Sequence, residues 1–154
     1  MSDVLTRTDL RNFLGSSAEV NTPLKYYIDG HALPDAKGVF TEITDRSATL
    51  HGQAIMIFGQ TIVDGTLALS LTSDTDASLT VTWTFDGSSP MSHTIHATYA
   101  VNPNNPHRLD FKETQPTNMA VFYIQQVPAL NGSGTDTEIF TRDGMLMLGA
   151  VLAP

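Results

Sequence analysis

The chain has 154 residues, 41% of them hydrophobic and 16% charged, and its 16 acidic against 8 basic residues give a formal charge of −8 and a pI near 4.8. That length and balance suit one globular domain and exclude a disordered, collagen-like or bilayer-spanning chain. So few cations leave little to neutralise phosphates, so no nucleic acid is expected; the absence of Cys removes disulfides, thiolate catalysis and Cys-based zinc or iron–sulfur sites.

The first ten residues, MSDVLTRTDL, lack the positive-then-apolar layout of a secretory signal, so a cytoplasmic location is expected. No apolar run approaches the ~20 residues that cross a bilayer, and the longest, Met145 to Ala153, is of strand length. One short helix is expected near residues 8–14. Thr8 can cap it, Asp9 suits its positive end, Leu10, Phe13 and Leu14 share a face, and Gly15 can close it.

After the helix, turn signals recur at short intervals: Asp29-Gly30, Asp64-Gly65, Asp86-Gly87, Asn131-Gly132, Asp143-Gly144 and a series of prolines that includes Pro34, Pro90 and Pro116. Strands are expected near residues 24–28, 38–44, 48–58, 61–72, 78–85, 91–101, 107–114, 119–127, 136–142 and 145–152. The pattern describes a single all-β domain over residues 1–154: an antiparallel up-and-down barrel of about eight to ten strands, with a β-sandwich as the alternative.

Alternation assigns the faces. In Leu79-Thr-Val-Thr-Trp-Thr-Phe85 every odd position is apolar and every even one is Thr. A five-residue loop from Asp86 to Pro90 would set Phe85 against Met91, Trp83 against His93, and Thr82 against Thr94. Residues 54–58, 119–124 and 145–153 are apolar on both faces, which calls for a cover on the outer side; a homo-oligomer is the expected cover.

From Ser47 to His107 there is no Lys, Arg or Glu, so these strands offer Thr, Ser and His to a neutral sugar or another subunit. His93, with Tyr99 on the same strand face, is the proposed catalytic pair, since a neutral imidazole can donate or accept a proton inside an apolar interior. Trp83, Met91, Met119 and Tyr123 are the expected ligand-binding residues. His96 falls on the opposite face from His93, and His31, His51 and His107 fall in or beside turns, so no metal is assigned. The acidic stretches 73–76 and 131–138 are read as solvated turn acids rather than calcium ligands. No nucleophile elbow, phosphate-binding loop or dinucleotide fingerprint is present, so no cofactor is expected. The expected function is binding of a small, mostly apolar molecule in a barrel, or cofactor-free cyclase or isomerase chemistry there. The alternatives are a lectin-like module using Asn102-Pro-Asn-Asn-Pro106 and a purely structural oligomer.

Overall fold

A strand whose backbone groups lack a partner must find one, and in this chain the search ends in a ring. A computed structural model describes residues 8–28, 31–57, 60–115, 121–129, 132–142 and 147–154. Its strands are β1 (Leu24–Ile28), β2 (His31–Ile43), β3 (Ser47–Gln53), β4 (Ile55–Ile57), β5 (Gln60–Leu71), β6 (Asp76–Phe85), β7 (Met91–Val101), β8 (Arg108–Gln115), β9 (Val121–Pro128), β10 (Thr135–Arg142) and β11 (Met147–Ala153). Apart from β3 and β4, which both pair with β5, each pairs antiparallel with its neighbours in sequence, and β11 returns to pair with β1 through Lys25–Ala153, Tyr26–Leu152 and Tyr27–Val151. With β3 and β4 counted as one broken arm against β5, the sheet is a closed ten-stranded up-and-down barrel, not a sandwich.

The arm read as one strand over 48–58 breaks at Ala54, which takes a left-handed φ of 58°. β2 starts earlier than expected, and Pro34 lies within it: Tyr26 pairs with Leu33 but Leu24 with Gly38, so Pro34 to Lys37 loop out of the β1 ladder, where a residue without an N–H is tolerated.

Alternation holds around the ring. Leu50, Leu69, Leu79, Ile95, Phe111, Phe122, Ile139 and Leu152 point inward and are buried, while Thr, Ser and charged residues alternate outward. This is the reverse of the alternation of a lipid-embedded barrel, whose apolar band faces out. Among the described residues no helix is long and apolar enough to cross a membrane. Three inward aromatics form the densest layer: Phe111 stacks on Phe122 at 4.5 Å between centroids and lies 6.0 Å from Tyr99.

The expected helix is instead a four-residue 3-10 turn, Leu10–Phe13. Asp9 rather than Thr8 caps it, accepting from the Arg11 N–H at 2.9 Å. Its apolar residues Leu10, Phe13 and Leu14 are buried and plug the end of the barrel where the β2–β3, β5–β6, β7–β8 and β9–β10 connections lie. Gly15 is needed for close approach, not as a helix end: a Cβ there would come within 2.5 Å of the Asp136 backbone. The segment is sewn to β10 by Gly15 N–H to Thr137 Oγ1 (2.7 Å) and Ser16 N–H to Thr135 Oγ1 (2.8 Å), while Gln126 donates to the Leu14 carbonyl (2.7 Å).

Arg46 locks the plug. Its Nη1 donates to the Thr8 carbonyl at 2.7 Å, and its Nη2 donates to the Ser73 carbonyl (2.7 Å) and the Tyr99 hydroxyl (3.2 Å). Replacing Arg46 by Ala is expected to cost about 1–3 kcal/mol, the scale of a hydrogen bond from a charged group, read as a lower urea midpoint. Exchange of the Leu10 amide, which donates to Asp45 O at 2.8 Å, should accelerate while that of Phe111 stays slow.

Candidate functional site

With one end plugged, the informative surface is the inner wall toward the other end, where the Asp86–Pro90 turn lies. The transverse rows of β5, β6 and β7 show how far the filling extends. Leu69, Leu79 and Ile95 form one row and are 1%, 3% and 7% exposed. In the next row Leu67 and Val81 are half-buried and His93 is exposed; beyond it come Gly65, half-buried Trp83 and Met91, the last 42% exposed. These side chains point inward yet meet solvent, so the wall opens over two rows.

The last of these rows continues across the ring as glycine. Trp83 pairs with Gly65, Gly65 with Gly52, and Gly52 with Gly38, placing three glycines side by side on the inner faces of β5, β3 and β2. With strands ~4.8 Å apart, the row spans about 10 Å between its outer members; Gly38 and Gly52 are buried and Gly65 is half-buried. Aromatic residues bound it: the Trp83 indole on one side and Tyr26, reaching over from β1, on the other. A Cβ at Gly38 would lie 2.2 Å from the Tyr26 hydroxyl and 2.8 Å from its ring, so Gly38 has no side chain because the phenol occupies that space. The hydroxyl is buried and has no hydrogen-bond partner among the described residues.

The residues singled out from sequence are distributed as follows. Trp83 and Met91 face each other directly on the inner wall. His93 shares that wall but stands opposite Val81, two positions from the expected register. The turn explains the shift: the Phe85 carbonyl accepts from Ser88 N–H at 3.0 Å, so the chain has already turned at Phe85 and the last pair of the β6–β7 ladder is Trp83–Met91. Accordingly Thr80 meets Thr94, at 3.1 Å between hydroxyls, and Thr82 meets Ser92. His93 is exposed at the rim rather than enclosed in an apolar interior. Tyr99 lies six positions further along β7, about 20 Å away at ~3.4 Å per residue. Its hydroxyl donates to Ser73 O at 2.6 Å and accepts from Arg46, at the plugged end. The proposed catalytic pair is therefore not brought together.

Tyr123 is on the outer face. It stacks on Phe140 at 5.3 Å, the Arg108 guanidinium sits 3.9 Å above its ring, and its hydroxyl donates to Glu138 at 2.9 Å. Met119 lies outside the described residues. The Asn102–Pro106 loop turns its amides onto the same outer network: Asn102 donates to Asp110 (2.8 Å) and Asn105 to Gln125 (3.1 Å). Two acids differ from the solvated-turn reading. Asp136 is buried at 1% exposure where the plug meets β10, and Asp64 lies within β5, its Oδ1 2.5 Å from His51 Nε2. His51 itself is within β3, not at a turn.

Sequence reasoning passed over Tyr26 and the glycine row. A signal was present, because Gly52 continues the inward phase of Ala48 and Leu50, and Gly65 that of Leu67 and Leu69. Asp64-Gly65 is a turn signal as a dipeptide, yet the strand expected over 61–72 runs through it, as β5 does.

No protein-family model, curated protein or solved structure matches the chain.

Burial pushes the Tyr26 phenol up to about 12; that of Tyr123 is also pushed up to about 12, by burial first and then by its bond to Glu138. A tyrosine near 10 in the unfolded chain loses its proton before these do, so their contribution is complete below pH 10 and declines as pH rises toward 12. For Tyr26 the full decline is on the order of 2–3 kcal/mol. Tyr26→Phe should therefore lose less stability than the parent between about pH 9 and about pH 11, measured by urea unfolding at each pH.

Proposed function

We propose that this protein binds a small, mostly apolar molecule inside the barrel, entering at the end opposite the N-terminal plug and resting on the glycine row beside Trp83. The observation that supports it most is the coincidence of two features on one stretch of wall. Inward-facing side chains emerge into solvent at Leu67, Val81, Trp83, Met91 and His93, and the neighbouring strands continue the Trp83 row with half-buried Gly65, then Gly52 and Gly38, the last lying under the Tyr26 phenol. An eight-stranded barrel is just filled by its own side chains or holds one small ligand, and ten strands enclose more. The mouths of such barrels are common ligand sites, and exposed apolar carbon beside bare backbone suits a flat or elongated hydrophobic molecule. With Tyr99 committed to the plug, the reading is of a binding site, with His93 at its rim.

Trp83 is the only tryptophan and serves as the reporter. Titration with the neutral fluorophore phenylnaphthylamine should quench Trp83 emission saturably and give energy transfer to the probe. A Cβ at Gly65 would have only Ile62 Cγ2 as close as 3.3 Å, so Gly65→Val can be built with a small adjustment and would stand on the floor beside the indole. That variant should keep its fold by circular dichroism and lose about tenfold or more in affinity, ~1.4 kcal/mol. Unsaturable quenching, or equal affinity in a folded Gly65→Val variant, would remove the proposal.

A further inference from the structure

We infer that Tyr26 is the polar anchor of the interior site, and that the ligand is uncharged, largely hydrocarbon, and carries a hydrogen-bond-accepting oxygen such as a carbonyl. The inference rests on the binding reading above and specifies its chemistry. The Tyr26 side chain is 5% exposed, yet its hydroxyl has no hydrogen-bond partner among the described residues. A buried hydroxyl left without a partner is destabilising, and phenylalanine would fill the same volume without that penalty. The group lies over Gly38, at one end of the floor whose other end is Trp83. From Gly38 to Trp83 is three interstrand steps, about 14 Å along the wall, the length of a molecule of two fused rings or longer. Held protonated by its surroundings, the phenol keeps its hydrogen and can donate to an acceptor seated at the Gly38 end of the row.

The charges around the site argue for a neutral ligand. Lys25, Lys37 and Lys112 are exposed on outward positions, Arg46 is committed to the plug, and Arg108 lies on the outer face over Tyr123. None of these five cations faces the interior at this end. The one carboxylate that does face inward on β8, Glu113, is 2% exposed and in phase with Leu109 and Phe111. A carboxylate ligand would lose its hydration without gaining a counter-charge; a ketone, aldehyde or ester oxygen loses little and can accept from Tyr26.

The test compares two probes of nearly equal shape, acetylnaphthalene and ethylnaphthalene, by Trp83 quenching in the parent and in Tyr26→Phe. The parent should bind the ketone about tenfold more tightly than the hydrocarbon, the scale of one hydrogen bond made in a dry site. In Tyr26→Phe that preference should vanish while hydrocarbon affinity stays within about twofold, and the unliganded variant should melt higher than the parent because the unpaired hydroxyl is gone. Equal affinity of the parent for both probes would overturn the anchor while leaving the interior site standing, as would a ketone preference that survives Tyr26→Phe. If neither probe quenches Trp83, the interior site itself fails and the anchor with it.

Discussion

The seam between β1 and β11 is the constraint on which the rest depends. Every other ladder around the ring joins strands close in sequence and can form as a hairpin, whereas this one joins the first strand of the chain to the last. Loop-closure entropy makes it the costliest pairing, and it brings Tyr26 beside Leu152. Once the ring is shut the first and last strands shield each other's edge, and inside and outside become fixed along the ladders. The plug then decides which end is which. By binding the start of β10 and the β2–β3 turn it fills one end with Leu10, Phe13 and Leu14, so any access to the interior is from the other.

The two ends have been built to different standards of packing. Near the plug, large side chains fill the bore and polar groups are bound across elements: Tyr99 to Ser73, Arg46 to three oxygens with its Nε left unpartnered among the described residues, Thr137 to Gly15. Toward the other end the same strands carry glycine, an unpaired phenol and half-exposed hydrophobic residues. Glycine within strands costs backbone entropy and contributes no packing, so three abreast are poor choices for stability alone. Concentrating those sacrifices on one wall is what a stability–function trade-off would produce.

Much of the architecture was legible because alternation is strong where one face is wet and one dry. Leu79 to Phe85 declared its faces outright, and the limits of β1 and β7 agree with the sequence reading to the residue. What escaped was decided by contacts between distant elements. The two-residue register shift at His93 arises because the connection begins at Thr84, with Ser88 N–H donating to the Phe85 carbonyl, a longer turn than the five residues that the Asp86–Pro90 punctuation suggests. Tyr123 carries apolar neighbours in sequence but is held outside by Arg108, Glu138 and Phe140, a cluster assembled from three strands. Tyr26 sits in Leu24-Lys-Tyr-Tyr-Ile28, where two adjacent tyrosines hide which one turns inward; only its packing over Gly38 distinguishes them.

The outer face of β3, β5, β6 and β7 is a grid of Ser, Thr and His, with Ser47, Ser70, Ser78 and His96 in one row and His51, Thr66, Thr82 and Ser92 in another. Its lack of lysine divides the barrel chemically as well as electrostatically. All three lysines stand exposed on β1, β2 and β8. Reagents that modify lysine side chains will therefore decorate that side of the wall. A molecule immobilised through its lysines would be tethered by those strands, leaving the outer wall behind Trp83 and His93 turned away from the support.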